Sequence, residues 1–266
     1  MSPDDIPSAR AIAAHRHDEI LKRLAADGHI SVEEMAAHFA VSRETIRRDL
    51  KALAGRGQLA IVHGGATHRS DEPALAVRRA DNPAGKAAIG RAAAGLIEDG
   101  MVVLLDSGST TLAVAQALAA RGPTAWQGLT VCTNSLSIGL VLCRVPGIRL
   151  HLLGGEVNGS DEAAFGTEGI AALGRFRADI AFIGVGGISA SGDLTDFAVL
   201  PTELRAAMLG AAERGFIVVD RTKFGRLTPI RLQPIPAGTS LIVDAAPPAS
   251  MAEALAARGL RIIAAP

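Results

Sequence analysis

From Lys86 onward the chain repeats one pattern: a short apolar run rich in β-formers, a polar loop, then a helix-periodic stretch. The runs read "MVVLL", "LTVCT", "IRLHLLGG", "ADIAFIGVGG", "FIVVD", "TSLIVD" and "LRIIAA". Helical stretches at 110–121, near 135–144, at 163–173, at "PTELRAAMLGAAERG" and at "SMAEALAARG" separate them. Alternation of this kind predicts parallel strands joined by right-handed crossovers, an α/β sheet covered by helices. Ligands of such sheets gather at the carboxyl ends of the strands. The loop "LDSGSTT" lies at one such end and opens a helix near Thr110.

The bulk composition narrows the function classes. Hydrophobic residues make up 48 % of 266 and charged residues 20 %, enough for one or two folded domains and too apolar for global disorder. Aromatics are 3 %, with no Tyr, which excludes a stacking platform for single-stranded nucleic acid. Formal net charge is +0, so attraction to nucleic acid has to come from a local basic patch. Cys132 and Cys143 stand in apolar surroundings with no C-x-x-C, and read as buried reduced thiols. The seven His show no paired ligand spacing, so no metal site is expected, and no cofactor. No apolar run is long enough to span a bilayer, and no basic-then-apolar leader opens the chain; a soluble, cytoplasmic protein is expected.

The first part of the chain has its own logic. Residues 1–14 read as a frayed, disordered tail, 15–66 as a compact helical domain, 67–85 as a polar, proline-bearing linker, and 86–266 as the α/β domain. In the helical domain Ile20, Leu21 and Leu24 give the first helix an apolar face. Ser31 and Glu34 form a capping box for an amphipathic second helix carrying Val32, Met35, Ala36 and Phe39. After the tight "AVS" turn, Ser42 caps a third helix with Ile46, Leu50 and Leu53 on one face. This is the pattern of a helix-turn-helix. Its third helix presents Arg43, Glu44, Thr45, Arg47, Arg48 and Lys51 away from the apolar stripe, where early residues reach base edges in a major groove. A charged solvated face on a helical bundle is the plainer alternative. "LAIVHGGA" then reads as a β-wing, with His63 and Gly64 at its turn as backbone-contact candidates or turn-satisfying residues.

In the α/β domain, Asp106 is an acceptor suited to a sugar hydroxyl, or only a strand-end cap. Ser107, Ser109, Thr110 and Thr111 offer hydroxyls and Gly108 a close approach at a helix N-terminus that favours an anion. Thr133, Asn134, Gly154, Gly155, Gly186, Gly187, Asp220 and Lys223 also follow strand ends, with each Gly pair open to a reading as a bare turn and Lys223 as a phosphate partner or a lone surface lysine. Glu203 reads as a ligand acceptor or as a favourable helix-dipole partner.

Residues 15–66, above all "SRETIRRDL" and "VHGGA", resemble the winged helix-turn-helix of the DeoR family of bacterial transcription regulators. "NPAGKAAIGRAAAGLIEDGMVVLLDSGSTT", "LTVCTNS", "LLGGEV", "FIGVGGIS" and "VVDRTKFGR" resemble that family's sensor domain, and "FRADIAFIGVGGISASGDLTDF" its glycerol-3-phosphate repressor branch. The resemblance implies a fold like ribose-5-phosphate isomerases and CoA-transferases. It implies a repressor of carbohydrate or polyol genes, bound to double-stranded operator DNA as a homo-oligomer (dimer or tetramer) and released by a phosphorylated sugar or glycerol-3-phosphate-like effector. The pocket it implies is the set of strand-end residues above. Departures are Ala60 and Ile61, where the family carries basic residues before the wing's Val-His, Pro201 in place of an acid, and Arg221-Thr222 in place of His-Ser. The isomerases carry an Asp-Gly-Ala-Asp-Glu loop where this chain reads Ile183-Gly184-Val185-Gly186-Gly187, without a carboxylate. An aldose–ketose isomerisation needs a carboxylate base, so a sensor is expected, with a sugar-phosphate isomerase bearing an accessory helical domain as the alternative. A third reading gives 15–66 protein contacts alone.

Overall fold

The computed structural model describes residues 9–27, 29–55, 58–62, 64–67 and 72–266. The chain forms two compact units, one holding the first 72 residues and the other nearly everything from Pro73 on.

The first unit follows the amphipathic pattern. Helices α1 (Ala9–Asp27), α2 (Val32–His38) and α3 (Arg43–Gly55) pack with a three-stranded antiparallel sheet of β1 (His29–Ser31), β2 (Ala60–Val62) and β3 (Gly65–Thr67), in the order β1-β3-β2. Ile20, Leu24, Met35, Ile46, Leu50, Leu53 and Leu59 form its core. Ser31 caps α2 by accepting from the Glu33 amide rather than that of Glu34, and the Ser42 hydroxyl accepts from the Thr45 amide to cap α3. Helix α1 begins at Ala9, so residues 9–14 of the expected tail are helical; residues 1–8 and His63 lie outside the described residues. The wing turn needs left-handed backbone at Gly64 (φ +79°), where a side chain would be strained.

The second unit is a doubly covered parallel sheet. Its elements are α4 (Leu75–Ala80), α5 (Pro83–Ala94), β4 (Val102–Leu105), α6 (Ser109–Ala119), β5 (Leu129–Thr133), α7 (Leu136–Leu142), β6 (Ile148–Leu152), β7 (Glu156–Asn158), β8 (Ala163–Phe165), α8 (Thr167–Leu173), β9 (Ala178–Ile183), β10 (Gly187–Ile188), β11 (Leu194–Asp196), α9 (Val199–Ala211), β12 (Ala212–Val219), β13 (Ile230–Arg231), β14 (Ser240–Val243), α10 (Ala249–Ala257) and β15 (Arg261–Ala264). The seven-stranded order is β15-β14-β12-β9-β4-β5-β6, every pair parallel. The expected α/β architecture therefore holds.

Side-chain alternation splits each of the five inner strands between two cores. Leu104, Ala181, Ile183, Ile217, Val219 and Leu241 face the side packed with Leu173, Leu204, Met208 and Leu255. Val103, Leu105, Val131, Phe182, Val218 and Ile242 face the side packed with Ile89, Ala93, Val114, Leu118 and Ile138. Burial on both faces explains why the strands read as continuous apolar runs. Helices α5 and α6 approach so closely that a side-chain carbon at Gly90 would lie 2.5 Å from the Ala113 carbonyl.

Several details differ from the sequence reading. The expected helix at 163–173 begins only at Thr167; Ala163–Phe165 pairs antiparallel with Glu156–Asn158. Strands β10, β11 and β13 form a small antiparallel sheet too short to carry a periodic signal. The second unit begins at Pro73, so α4 and the start of α5, within the segment read as linker, are packed into it. Leu75 is buried and its amide donates to the Ser160 carbonyl (2.7 Å), while buried Arg78 pairs with Asp161. Cys132 is buried as expected and its thiol is pushed up to about 12 by that burial, but Cys143 is exposed, because α7 ends just before it.

Candidate functional site

The first candidate surface is α3. Its apolar residues Ile46, Leu50 and Leu53 are buried, which turns Arg43, Glu44, Arg47, Arg48 and Lys51 outward, with Thr45 half-buried. Arg43 pairs with Glu33, and Arg47 lies 3.7 Å from Glu44. Both pairs are well exposed and contribute little to stability. Arg48 and Lys51 make no ion pair among the described residues. Ser42 is engaged as the cap and bonds the Thr45 hydroxyl (2.9 Å). Ile61, on the wing, is half exposed (51 %) at the position where a basic residue was expected.

Sequence reasoning missed what fixes α3 in place. Asp49 is buried beside the apolar stripe and accepts from Arg16 through Nε (2.6 Å) and a terminal nitrogen (3.1 Å), with His17 at 3.1 Å. The bond to Asp49 raises the Arg16 pKa further. Its place three residues after Ile46 and four before Leu53, on the stripe itself, was the legible signal.

The second candidate site is the carboxyl edge of the seven-stranded sheet. Strand β4 delivers Asp106, β5 delivers Thr133 and Asn134, β9 delivers Gly184, β12 delivers Asp220 and β14 delivers Asp244. The DSGSTT loop runs into α6, whose first-turn amides have no helical carbonyl behind them. Ser107, Ser109 and Thr110 are buried at that turn; the Ser107 hydroxyl donates to Asp106 Oδ1 (3.4 Å) and the Thr111 hydroxyl to the Gly108 carbonyl (3.1 Å). Asn134 holds the loop: its side-chain oxygen accepts from the Ser107 amide (3.0 Å), and its amide group donates to the Ser107 hydroxyl (3.3 Å) and the Ala164 carbonyl (3.1 Å). Thr133 accepts from the Ser135 amide through its hydroxyl (3.1 Å).

Asp106 is not a free acceptor. Its carboxylate accepts from Arg205 Nε (2.6 Å) and the Gly184 amide (3.1 Å), and Arg205 also pairs with Asp196. All three are buried. Burial pushes the Asp106 carboxyl above its ordinary value, against the pull of Arg205. One guanidinium thus bridges two acids beneath the loop. Arg205 was missed by the sequence reading, while its neighbour Glu203, which was not, is exposed on α9. The missed signal is again helical spacing: Arg205 lies three and four residues from the buried Met208 and Leu209.

A second cluster surrounds Asp220. Its side chain caps a short 3-10 turn by accepting from the Thr222 amide (3.1 Å), and accepts from Asn82 (3.3 Å). Lys86, buried on the same helical face as Ile89 and Ala93, lies 3.6 Å from Asp220 and donates to the carbonyls of Arg78 (2.7 Å) and Asp81. Burial raises the Asp220 pKa, but Lys86, Thr222 and Lys223 together outweigh it and hold the carboxyl below its ordinary value. Lys223 is buried at the end of the turn. Asn82 takes up the left-handed conformation (φ +48°) that lets its amide also reach Asp244 (2.8 Å).

The glycines divide. A carbon at Gly155 would lie 2.4 Å from the Phe165 backbone, and one at Gly186 3.0 Å from the Phe197 ring, so both serve packing. Gly187 lies in β10, and Gly154 is open to its surroundings. Among the described residues no group of three His, Cys, Asp or Glu side chains is arranged to hold a metal ion, and no helix is long and apolar enough to cross a membrane.

Both halves match known family models. Residues 16–72 match the DeoR-like helix-turn-helix domain, and residues 81–245 match the DeoR C terminal sensor domain. The chain belongs to the DeoR family. Among the relatives of this DeoR-family protein is the glycerol-3-phosphate regulon repressor of Escherichia coli K12, 31 % identical over 90 % of this chain and 94 % of that one. The transcriptional repressor CsqR of the same organism is 29 % identical over 93 % and 94 %. Ribose 5-phosphate isomerase A of Methanocaldococcus jannaschii is a distant structural neighbour: TM-score 0.41, 19 % identity, 54 % of this chain and 55 % of that one. A likeness that distant says nothing about chemistry.

Proposed function

We propose that this DeoR-family protein is a transcriptional repressor, bound through α3 to double-stranded operator DNA as a homo-oligomer and released by a phosphorylated sugar or a glycerol-3-phosphate-like effector. The observation that carries the reading is the pairing, in one chain, of an outward basic recognition helix with a hydroxyl-rich helix N-terminus at a parallel sheet edge. In this reading Arg48 and Lys51, free of ion pairs among the described residues, meet the DNA most directly, with Arg43, Thr45 and Arg47 beside them and Ser42 and Glu44 positioning them. His63 and Gly64 are assigned to the wing's backbone contact.

The effector's phosphate is assigned to the amides of the first turn of α6, the hydroxyls of Ser107, Ser109 and Thr110, and the ammonium of Lys223. Gly108 admits the anion, since a side chain there would crowd the Thr111 hydroxyl (3.3 Å). Asp106, Thr133, Asn134, Gly186 and Gly187 shape the cradle from behind, and Asp220 orients Lys223. Gly154, Gly155 and Glu203 lie at the periphery of this assignment. An effector shifts operator affinity only if it binds one state of the repressor better than the other.

The test is a fluorescence-anisotropy titration of the full chain on its own upstream DNA, repeated across a panel of phosphosugars and glycerol 3-phosphate. Arg48→Ala is expected to weaken operator binding roughly tenfold to a hundredfold while leaving effector binding intact. Lys223→Ala is expected to leave operator affinity unchanged and to raise the effector concentration needed for release about tenfold or more. Tight effector binding with no change in operator affinity sinks the proposal.

A further inference from the structure

The second unit carries a cleft that the strand-edge site does not use. It has a volume of about 500 Å³ and lies between the tip of the β10–β11 hairpin, the segment 231–235 and the turn after α10. That size lies within the range of small-molecule pockets. Its floor is apolar: Leu194, Leu232 and Leu260 are buried and continuous with one of the two cores, and Ile235 packs against them.

The walls are held in place. The Leu232 amide donates to the Leu194 carbonyl (2.9 Å), and Arg231 is paired with Thr195 across β11 and β13. The hairpin tip sits against α10, where a side-chain carbon at Gly192 would lie 3.1 Å from Ala254.

The charge at the rim does not balance. Arg231 and Arg258 both line the cleft, with Asp193 as the acid between them. Arg258 donates to Asp193 (2.8 Å), and so does the Ser191 hydroxyl (2.8 Å). Ser191, then Arg258 and Arg231, hold the Asp193 carboxyl below its ordinary value, so it is ionised at neutral pH. Two guanidiniums face one carboxylate. Among the described residues the Arg231 guanidinium makes no hydrogen bond or ion pair, although it lies within the field of Asp193.

An arginine fork beside an aliphatic floor matches an organic anion with an apolar body. A polyhydroxylated sugar phosphate fits less well, since beyond Gln233 and the charged rim the lining is Leu194, Leu232, Pro234, Ile235 and Leu260, which offer its hydroxyls no side-chain partner. We propose that this cleft is a second ligand site of the protein, taking a small amphipathic carboxylate or phosphate monoester whose anionic head pairs with Arg231 and whose hydrocarbon or aromatic body covers the leucine floor. The site stands independently of the strand-edge assignment.

The probe is 2-naphthoate, titrated into the full-length protein and followed by its fluorescence anisotropy, with the neutral 2-naphthamide as isostere. Saturable binding of one naphthoate per chain is expected, at least tenfold tighter than naphthamide. Arg231→Gln should weaken naphthoate at least tenfold and leave naphthamide unchanged. Ile235→Trp, which fills the cleft without touching the charges, should abolish both. Lys223→Ala, at the other site, should change neither. Unchanged circular dichroism and melting temperature establish that each variant is folded. Binding that is absent, indifferent to Arg231→Gln and Ile235→Trp, or lost in Lys223→Ala overturns the proposal. Repeating the series with 2-naphthyl phosphate separates a carboxylate from a phosphate preference within the same site.

Discussion

Arg205→Met is expected to destabilise the second unit by about 3–5 kcal/mol at neutral pH, because it leaves Asp106 and Asp196 buried without their shared cation. Methionine keeps most of the volume, so the loss measures charge rather than a cavity. Urea denaturation monitored by the near-ultraviolet signal of Trp126, buried in the α5–α6 core, reads it directly. The pH dependence has a definite sign. In the native protein the Asp106 pKa is raised above its unfolded value, so protonation favours the folded state. Removing Arg205 raises it further. The deficit of Arg205→Met therefore shrinks between neutral pH and a mildly acidic pH, as the raised folded pKa is crossed. Adding Asp106→Asn should recover part of the loss at pH 7. A deficit that is the same at both pH values, with no recovery in the double variant, would show that the guanidinium is packing and not compensating charge.

Lys86→Met is expected to cost a similar amount, about 3–5 kcal/mol, by a route of opposite pH sign in the parent protein. Here Lys86 holds Asp220 while donating to two carbonyls between α4 and α5. Because the Asp220 pKa is lowered, its contribution is present above the unfolded value of about 3.9 and is lost as the pH falls through the lower folded value. The parent protein thus loses the Asp220 contribution only on strong acidification, and the variant never has it. The two denaturation curves should converge as the pH drops below about 4 and separate above it. Lys86→Met with Asp220→Asn should restore stability relative to Lys86→Met alone. Asp220 also positions Lys223 in the proposed effector site, so the double variant separates folding from sensing: a stable protein with a weakened effector response is the expected outcome.

Both clusters illustrate one limit of reading a chain by pattern. Arg205, Lys86 and Asp49 are charged, and each stands within the apolar stripe of its helix. The stripe is visible in the sequence, and a charge inside it predicts burial with a partner. Which partner is not visible: Arg16 is 33 residues from Asp49, and Asp106 is 99 from Arg205. Asp106 shows the consequence. Read alone it is an acceptor at a strand end; folded, its Oδ2 is occupied by Arg205 and Gly184 and its Oδ1 accepts from the Ser107 hydroxyl, so in the proposed site the first turn of α6, not Asp106, meets the ligand.

The sequence by itself determined the family, the two kinds of domain and the edge of the sheet on which the loops gather. Those follow from local spacing, the 3.6-residue stripe and the short doubly buried strands, which any segment of the chain carries within itself. It also determined the recognition helix, since Ile46, Leu50 and Leu53 dictate which residues face out. The tertiary structure alone decided the remaining features. Three of these are the pairing of β7 with β8, the hairpin that ends against α10, and the cleft with its unbalanced arginines. The others are the two buried acid–base clusters, Arg205 with Asp106 and Asp196 beneath the DSGSTT loop and Lys86 with Asp220 at the end of β12. Each joins residues far apart in the chain through hydrogen bonds and charges of a few ångströms' reach. No local periodicity records such contacts, because they exist only once the crossovers have brought the strand ends together.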